Sequence, residues 1–261
     1  MKAIVAVGLL VTVSVFTGCG DSATEINGTL PVVTGIVVDT LASHGDTIVV
    51  TWTAMDTTLV DGYFLWTRRG VEGPWTLAAL CENNAGTHIA SRSVFYTVMA
   101  FKGDNTSSGV GLATNTKTVQ LSEIRELFDL RPVGFRVDVA GDSIIAGNPA
   151  SPEFAQQFVV AINANGARYI YPGTFNPEQW PGGARTRIAR GTGFVAPSPD
   201  DSILWKDSVS YGDDFFLAMG DGHYCLLTGT HTFPDTASLT DTLVLKGQLQ
   251  PITGVRVFNE L

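Results

Sequence analysis

The strongest constraint on this chain is a rhythm. From about residue 30 onward, short segments with apolar residues at alternate positions recur, cut by turn-forming residues roughly every 8–12 positions. In the first half the segments are TGIVVDT, TIVVTWTA, YFLWTRR, WTLAALC, THIAS, VFYTVMAF and VGLATNT. Between them lie SHGD, MDTTLVDG, GVEGP, ENNAG and KGDNTSSG, rich in Gly, Asn and Asp. Strand side chains alternate between faces, so this period-two pattern predicts half-buried strands rather than helices. Some seven strands in about 90 residues are the signature of a β-sandwich.

Composition agrees with an all-β chain. Gly, Thr, Val and Asp are abundant, only 16% of residues are charged, and tracts rich in Ala, Glu, Lys and Leu are rare. The net charge of −9 argues against nucleic acid or anionic lipid as the main partner. No zinc-ligand spacing, phosphate-binding loop or dinucleotide fingerprint occurs, and no cofactor is expected.

The N-terminus carries a different signal. Lys2 precedes an apolar run from Ala3 to Phe16, then Thr17, Gly18 and Cys19. The run matches a signal-peptide core and falls short of the ~20 residues that span a bilayer. The T-G-C ending resembles the lipobox of bacterial lipoproteins, although Phe16 stands where that family usually has Leu. The resemblance implies cleavage before Cys19, diacylglycerol on its thiol and an acylated new N-terminus. It also implies an outer-membrane destination in a Gram-negative envelope, since Gly20 is not the aspartate associated with inner-membrane retention. Residues 1–18 are thus expected to be a signal peptide and 19–29 a flexible polar tether. Loss of residues 1–18 removes Lys2 and no acid, taking the net charge from −9 to −10.

Residues 30–118 resemble a fibronectin type III domain. The resemblance rests on Pro31 opening the first strand, Trp52 on the second, Tyr63 opening the third, and Tyr96-x-Val98-x-Ala100 on a later one. It implies an immunoglobulin-like sandwich, with Trp52 between the sheets, Ile48 and Val50 on its face, and Val98 and Ala100 opposite. Val94 occupies the place of the family's tyrosine corner, which predicts a looser connection there unless Tyr96 substitutes. Phe64 and Trp66 share a strand face opposite Tyr63 and Leu65. They either form an outward contact surface, for the second domain or another partner, or pack under Trp75 and a loop. Arg68-Arg69 reads as a solvated turn.

Residues 119–261 read as a second antiparallel β domain. LSEIRELFDLRP predicts a short linker helix, with Ser122 as cap, Leu121, Ile124 and Phe128 on one face, and Pro132 as stop. SPEFAQQFVVAI admits a helix from Ser151, but its second half is read as a strand because Asn165-Gly166 marks a hairpin. Asp221-Gly222 marks another. The stretch YGDDFFLAMGDGHYCLLTGTHTF, with LVLKGQLQ after it, resembles the C-terminal half of haem-scavenging, HmuY-like lipoproteins. That resemblance implies axial ligands, and His223 and His231 are candidates by residue type alone. On a regular strand they would stand about 26 Å apart, too far to share one iron.

Gly141-Asp142-Ser143-Ile144 resembles the first block of GDSL hydrolases, which would make Ser143 a nucleophile. The family's oxyanion block and α/β pattern are absent, and Asp142-Ser143 reads more simply as a turn. GGARTRIARGTG is read as a Gly-rich loop whose Arg185, Arg187 and Arg190 would hold a carboxylate, phosphate or acidic glycan, or else salt-bridge nearby acids. Phe175 and Trp180 lie in the long loop before it, which makes residues 172–194 the first place to seek a ligand. Cys81 and Cys225, one in each expected domain, are read as buried free thiols rather than an interdomain disulfide. The expectation is a non-enzymatic, lipid-anchored envelope protein with a protein or glycan partner. Its rivals are a haem or small-ligand scavenger, an esterase and a self-assembling envelope component.

Overall fold

A computed structural model describes residues 30–109, 113–128, 131–163, 166–232 and 241–259. These residues are all-β, and no helix occurs among them, so none long and apolar enough to cross a membrane. Cys19 and the N-terminal apolar run lie outside the described residues.

The first module is a two-layer sandwich. One sheet joins β1 (Val37–Val38), β2 (Thr47–Thr51) and β5 (Ala85–Ile89) in that order. The facing sheet runs β4 (Thr76–Cys81), β3 (Gly62–Arg68), β6 (Phe95–Lys102) and β7 (Asn105–Thr106), with β8 (Thr114–Asn115) also on β6. Alternation places Ile48, Val50 and Trp52 inward from one sheet, and Tyr63, Leu65, Tyr96, Val98 and Ala100 inward from the other. The Trp52 ring meets Tyr63 edge-on at 5.2 Å, a favoured aromatic geometry. Tyr96 does not supply a hydroxyl-to-backbone tie: buried, it shares a 3.1 Å hydrogen bond with His88 Nδ1. The connection before β6 is nevertheless tied. Ser93 N–H and Oγ–H donate to Phe258 O (3.0 Å) and Val257 O (3.1 Å).

The second module is one large sheet. Its strands are β9 (Val119–Phe128), β10 (Val133–Asp138), β11 (Ser143–Gly147), β12 (Phe158–Ile162), β13 (Arg168–Pro172), β14 (Thr186–Arg190), β15 (Trp205–Lys206), β16 (Val209–Ser210), β17 (Asp214–Met219), β18 (Tyr224–Thr232) and β19 (Asp241–Gln250). They run in the order β15-β14-β17-β18-β19-β9-β11-β10-β12-β13-β16. Every pairing is antiparallel except the short β9–β11 contact. The sheet curls until β14 lies beside β13 and β16, so it nearly closes around an apolar interior of Phe128, Phe135, Phe158, Phe215, Leu217 and Leu245. Both expected hairpins form, β12–β13 and β17–β18, and Gly222 takes the positive φ (89°) its turn requires.

The expected linker helix over Leu121–Pro132 is instead strand β9, paired with β19 along most of its length. A β-bulge explains the misleading period. Leu245 pairs with Ile124 but Gly247 with Leu121, so β9 holds one residue more than its partner across that step. The extra residue returns Leu121 and Ile124 to the same face, and simple alternation then carries Phe128 inward. A bulged strand thus imitates helical spacing. Gly247 permits the close approach, since a Cβ there would lie 2.3 Å from the Leu226 carbonyl oxygen.

The chain's end crosses between modules. After β19, Gly45 N–H donates to Gly254 O (2.7 Å) and Arg256 N–H to Gly45 O (2.8 Å). Val255 and Val257 are fully buried in the first module's core, while Phe258 packs with Phe216, Tyr224 and Leu226 of the second. Buried Gln250 secures the crossing by donating from Nε2 to Val257 O (2.7 Å) and Thr116 O (3.2 Å). Cys81 and Cys225 are free buried thiols in the two separate cores, and burial raises both pKa values.

Val257→Ala removes two methyl groups from a site fully enclosed in the first core. It should cost about 2 kcal/mol, read as a lower urea midpoint with unchanged slope. Burial also holds the His88 pKa below its ordinary 6.5. Below that pH the unfolded chain binds a proton that the folded state resists, so stability should fall as pH drops from 6.5. His88→Asn should flatten that part of a pH series of denaturation midpoints.

Candidate functional site

The loop following β13 brings Phe175 and Trp180 together, but they play different parts. Asn176 starts a turn in which Trp180 N–H donates to Asn176 O (2.8 Å). This folds the indole back onto the outer face of β12–β13, over Val159 and Ala161, leaving Trp180 only 6% exposed. Trp180 is therefore a cover for the sheet. Phe175 is 48% exposed and lies 4.7 Å from Tyr171, with Tyr169 a further 6.3 Å along. Burial and neighbouring Tyr169 raise the Tyr171 phenol above its usual pKa. The outcome is a partly exposed aromatic ledge of Tyr169, Tyr171 and Phe175.

The arginines do not join it as a loop cluster. Arg187 and Arg190 lie exposed on strand β14, which pairs with β17. Arg187 Nη1–H donates to Pro199 O at 2.5 Å, and Arg190 Nε lies 3.4 Å from Asp213 Oδ2. Arg185 is exposed just before the strand. The expected Gly-rich anion loop is thus corrected to a strand that separates its guanidiniums and gives two of them local partners.

The remaining sequence candidates resolve simply. Asp142 carries a φ of 47° in the turn between β10 and β11, and Ser143 opens β11 opposite Asp138. His223 follows the β17–β18 turn, with Nδ1 3.2 Å from Asp221 Oδ2. Among the described residues no group of three or more His, Cys, Asp or Glu is placed to hold a metal. Phe64 and Trp66 do sit on the outer face of β3, half-buried, where Phe64 stacks on Phe101 at 4.6 Å. Trp75 takes the Arg68 guanidinium at 4.7 Å instead of covering them.

A cleft of about 430 Å³ opens at the end of the first sandwich, lined by Thr67, Arg68, Arg69, Glu72, His88 and Arg92 among others. The residues come from the end of β3, the β3–β4 loop, the end of β5 and the turn before β6. No local pattern announces this grouping. The Arg68-Arg69 pair was visible in the sequence, but its approach to His88 and Arg92 is made only by sheet-to-sheet packing.

No family model and no curated protein matches this chain. Among solved structures it is similar to titin kinase and its flanking domains, at 12% identity and a TM-score of 0.29, over 84% of this chain and 37% of that one. A cycloalternan-degrading enzyme from Trueperella pyogenes, in complex with isomaltose, matches at 9% identity and a TM-score of 0.18, over 82% of this chain and 30% of that one. The chain thus spans well under half the length of either.

Trp180→Ala uncovers Val159 and Ala161 and should cost about 3–5 kcal/mol. Phe175→Ala, at an exposed ledge, should change stability by less than about 0.5 kcal/mol. Paired thermal melts of the two variants measure the contrast.

Proposed function

We propose that this protein is a lipid-anchored component of a Gram-negative cell envelope, periplasmic or surface-exposed, with a non-catalytic binding, adhesion or structural role. The observation that carries the reading is the apolar run ending in Thr17-Gly18-Cys19. Several acyl chains on Cys19 would anchor firmly, since each buried CH₂ contributes about 0.8 kcal/mol. The polar stretch to residue 29 would hold the β modules away from the bilayer.

The fold is compatible with this role. Residues 30–118, read as a fibronectin type III domain, form a sandwich whose two sheets close around Trp52. In this reading the first module spaces and contacts, and the second offers the aromatic ledge around Phe175 to an envelope protein or glycan.

Cys19→Ser should abolish incorporation of labelled palmitate and leave the protein either unprocessed or soluble. Unchanged mass and membrane association in that variant would overturn the reading.

A further inference from the structure

We propose that the cleft at the end of the first sandwich is a binding site for a small organic anion recognised through a carboxylate. Three of the chain's sixteen Lys and Arg residues, Arg68, Arg69 and Arg92, line it, in a molecule whose net charge is −9. Glu72 is the one acid on that lining. In an acidic protein such a grouping attracts anions that the rest of the surface repels.

Arg68 is prepared for this use. Its guanidinium carbon lies over the Trp75 ring, 4.7 Å from the centroid, which limits its rotation. Its Nε is buried without a hydrogen-bond partner, and neither Arg68 nor Arg69 forms an ion pair among the described residues. A guanidinium that is held by a ring, and whose two terminal nitrogens carry no protein partner among the described residues, fits the planar two-oxygen edge of a carboxylate. The second module steadies the opposite wall, where Arg92 lies 4.8 Å over the Phe194 ring. Behind Arg69, Lys117 Nζ–H donates to the Arg69 carbonyl (2.6 Å) and to Asn259 Oδ1 (2.9 Å), fixing the loop's base to the chain's end.

Size and lining select a small ligand. A volume of about 430 Å³ lies within the range of small-molecule sites, room for one or two sugar rings or a dipeptide. His88, tied to Tyr96 and kept neutral at pH 7 by burial, adds a polar wall without further charge. A stacked guanidinium with uncharged walls beside it suits a carboxylate better than a doubly charged phosphate. The site is separate from the anchor at Cys19, so its failure and that of the lipoprotein reading are measured independently.

The test is calorimetric titration of the full chain in neutral detergent at low ionic strength. The probes are digalacturonate, glutamyl-glutamate, the methyl esters of both, and inorganic phosphate. At least one acid probe should bind saturably, with its ester at least ten-fold weaker, and raising salt from about 20 to 200 mM should weaken binding several-fold. Digalacturonate alone would mark a sugar acid as the source of the carboxylate, and the dipeptide alone a peptide. Arg68→Gln should weaken the acid probe at least ten-fold, Glu72→Gln should tighten it, and Arg190→Gln should leave it unchanged. The proposal is overturned if neither acid probe binds, if an ester or phosphate binds as tightly as its acid, or if Arg68→Gln, folded by thermal melt, and Glu72→Gln both leave affinity unaltered.

Discussion

Everything in this molecule is organised around a strand end that belongs to two cores at once. Alternation sends Val255 and Val257 into the first sandwich, and the next residue, Phe258, turns to Phe216, Tyr224 and Leu226 in the second module. Backbone groups along the crossing find partners on both sides: Gly254 O and Arg256 N–H bond Gly45 and Phe258 O accepts from Ser93 in the first module, while Arg256 O accepts from Ala196 and Phe258 N–H donates to Phe194 O in the second. A crossing segment of this kind is stable only if its peptide groups are satisfied, because an unpaired buried N–H or C=O costs about as much as a hydrogen bond gains. The modules are therefore coupled by a shared element and not merely joined by a linker.

The polar residues at this junction follow from the same constraint. Gln248 and Gln250 are buried at the end of β19, an unusual position for glutamine. Gln250 bridges Val257 and Thr116, while Gln248 accepts from Thr118 Oγ1 (2.6 Å) and Asn259 N–H (3.1 Å). These amides supply donors and acceptors where three backbone segments meet without forming a continuous ladder. The GQLQ motif thus has a structural explanation that needs no ligand.

Much of the architecture was legible because burial in a sheet leaves a period-two imprint. The faces of Ile48, Val50, Trp52, Val98 and Ala100, the two hairpins, and the separate burial of Cys81 and Cys225 all follow from alternation, turn residues or apolar context. The pattern misled where a bulge altered the period. Leu121, Ile124 and Phe128 carry helical spacing, and only the free edge of β19 makes that segment a strand. The candidate site was legible in part. Phe175 and Trp180 do meet, yet whether an aromatic is a ledge or a cover depends on how the loop folds back. The arginines of β14 were misplaced because flanking glycines resemble a loop, whereas the ladder to β17 makes them a strand.

The sequence by itself determined the all-β class, because alternation and turn chemistry are local properties that each segment carries alone. It also carries the Thr17-Gly18-Cys19 signal, which is linear and needs no fold to be read. Tertiary structure alone decided what depends on meetings between distant segments: the register of β9 on β19, the burial of Val255 and Val257 in a core some 150 residues earlier in the chain, and the approach of Arg68 to Arg92 across a cleft. The physical reason is that such contacts are chosen by which apolar faces and unpaired edges remain to be covered once every local element has formed. No single segment holds that information.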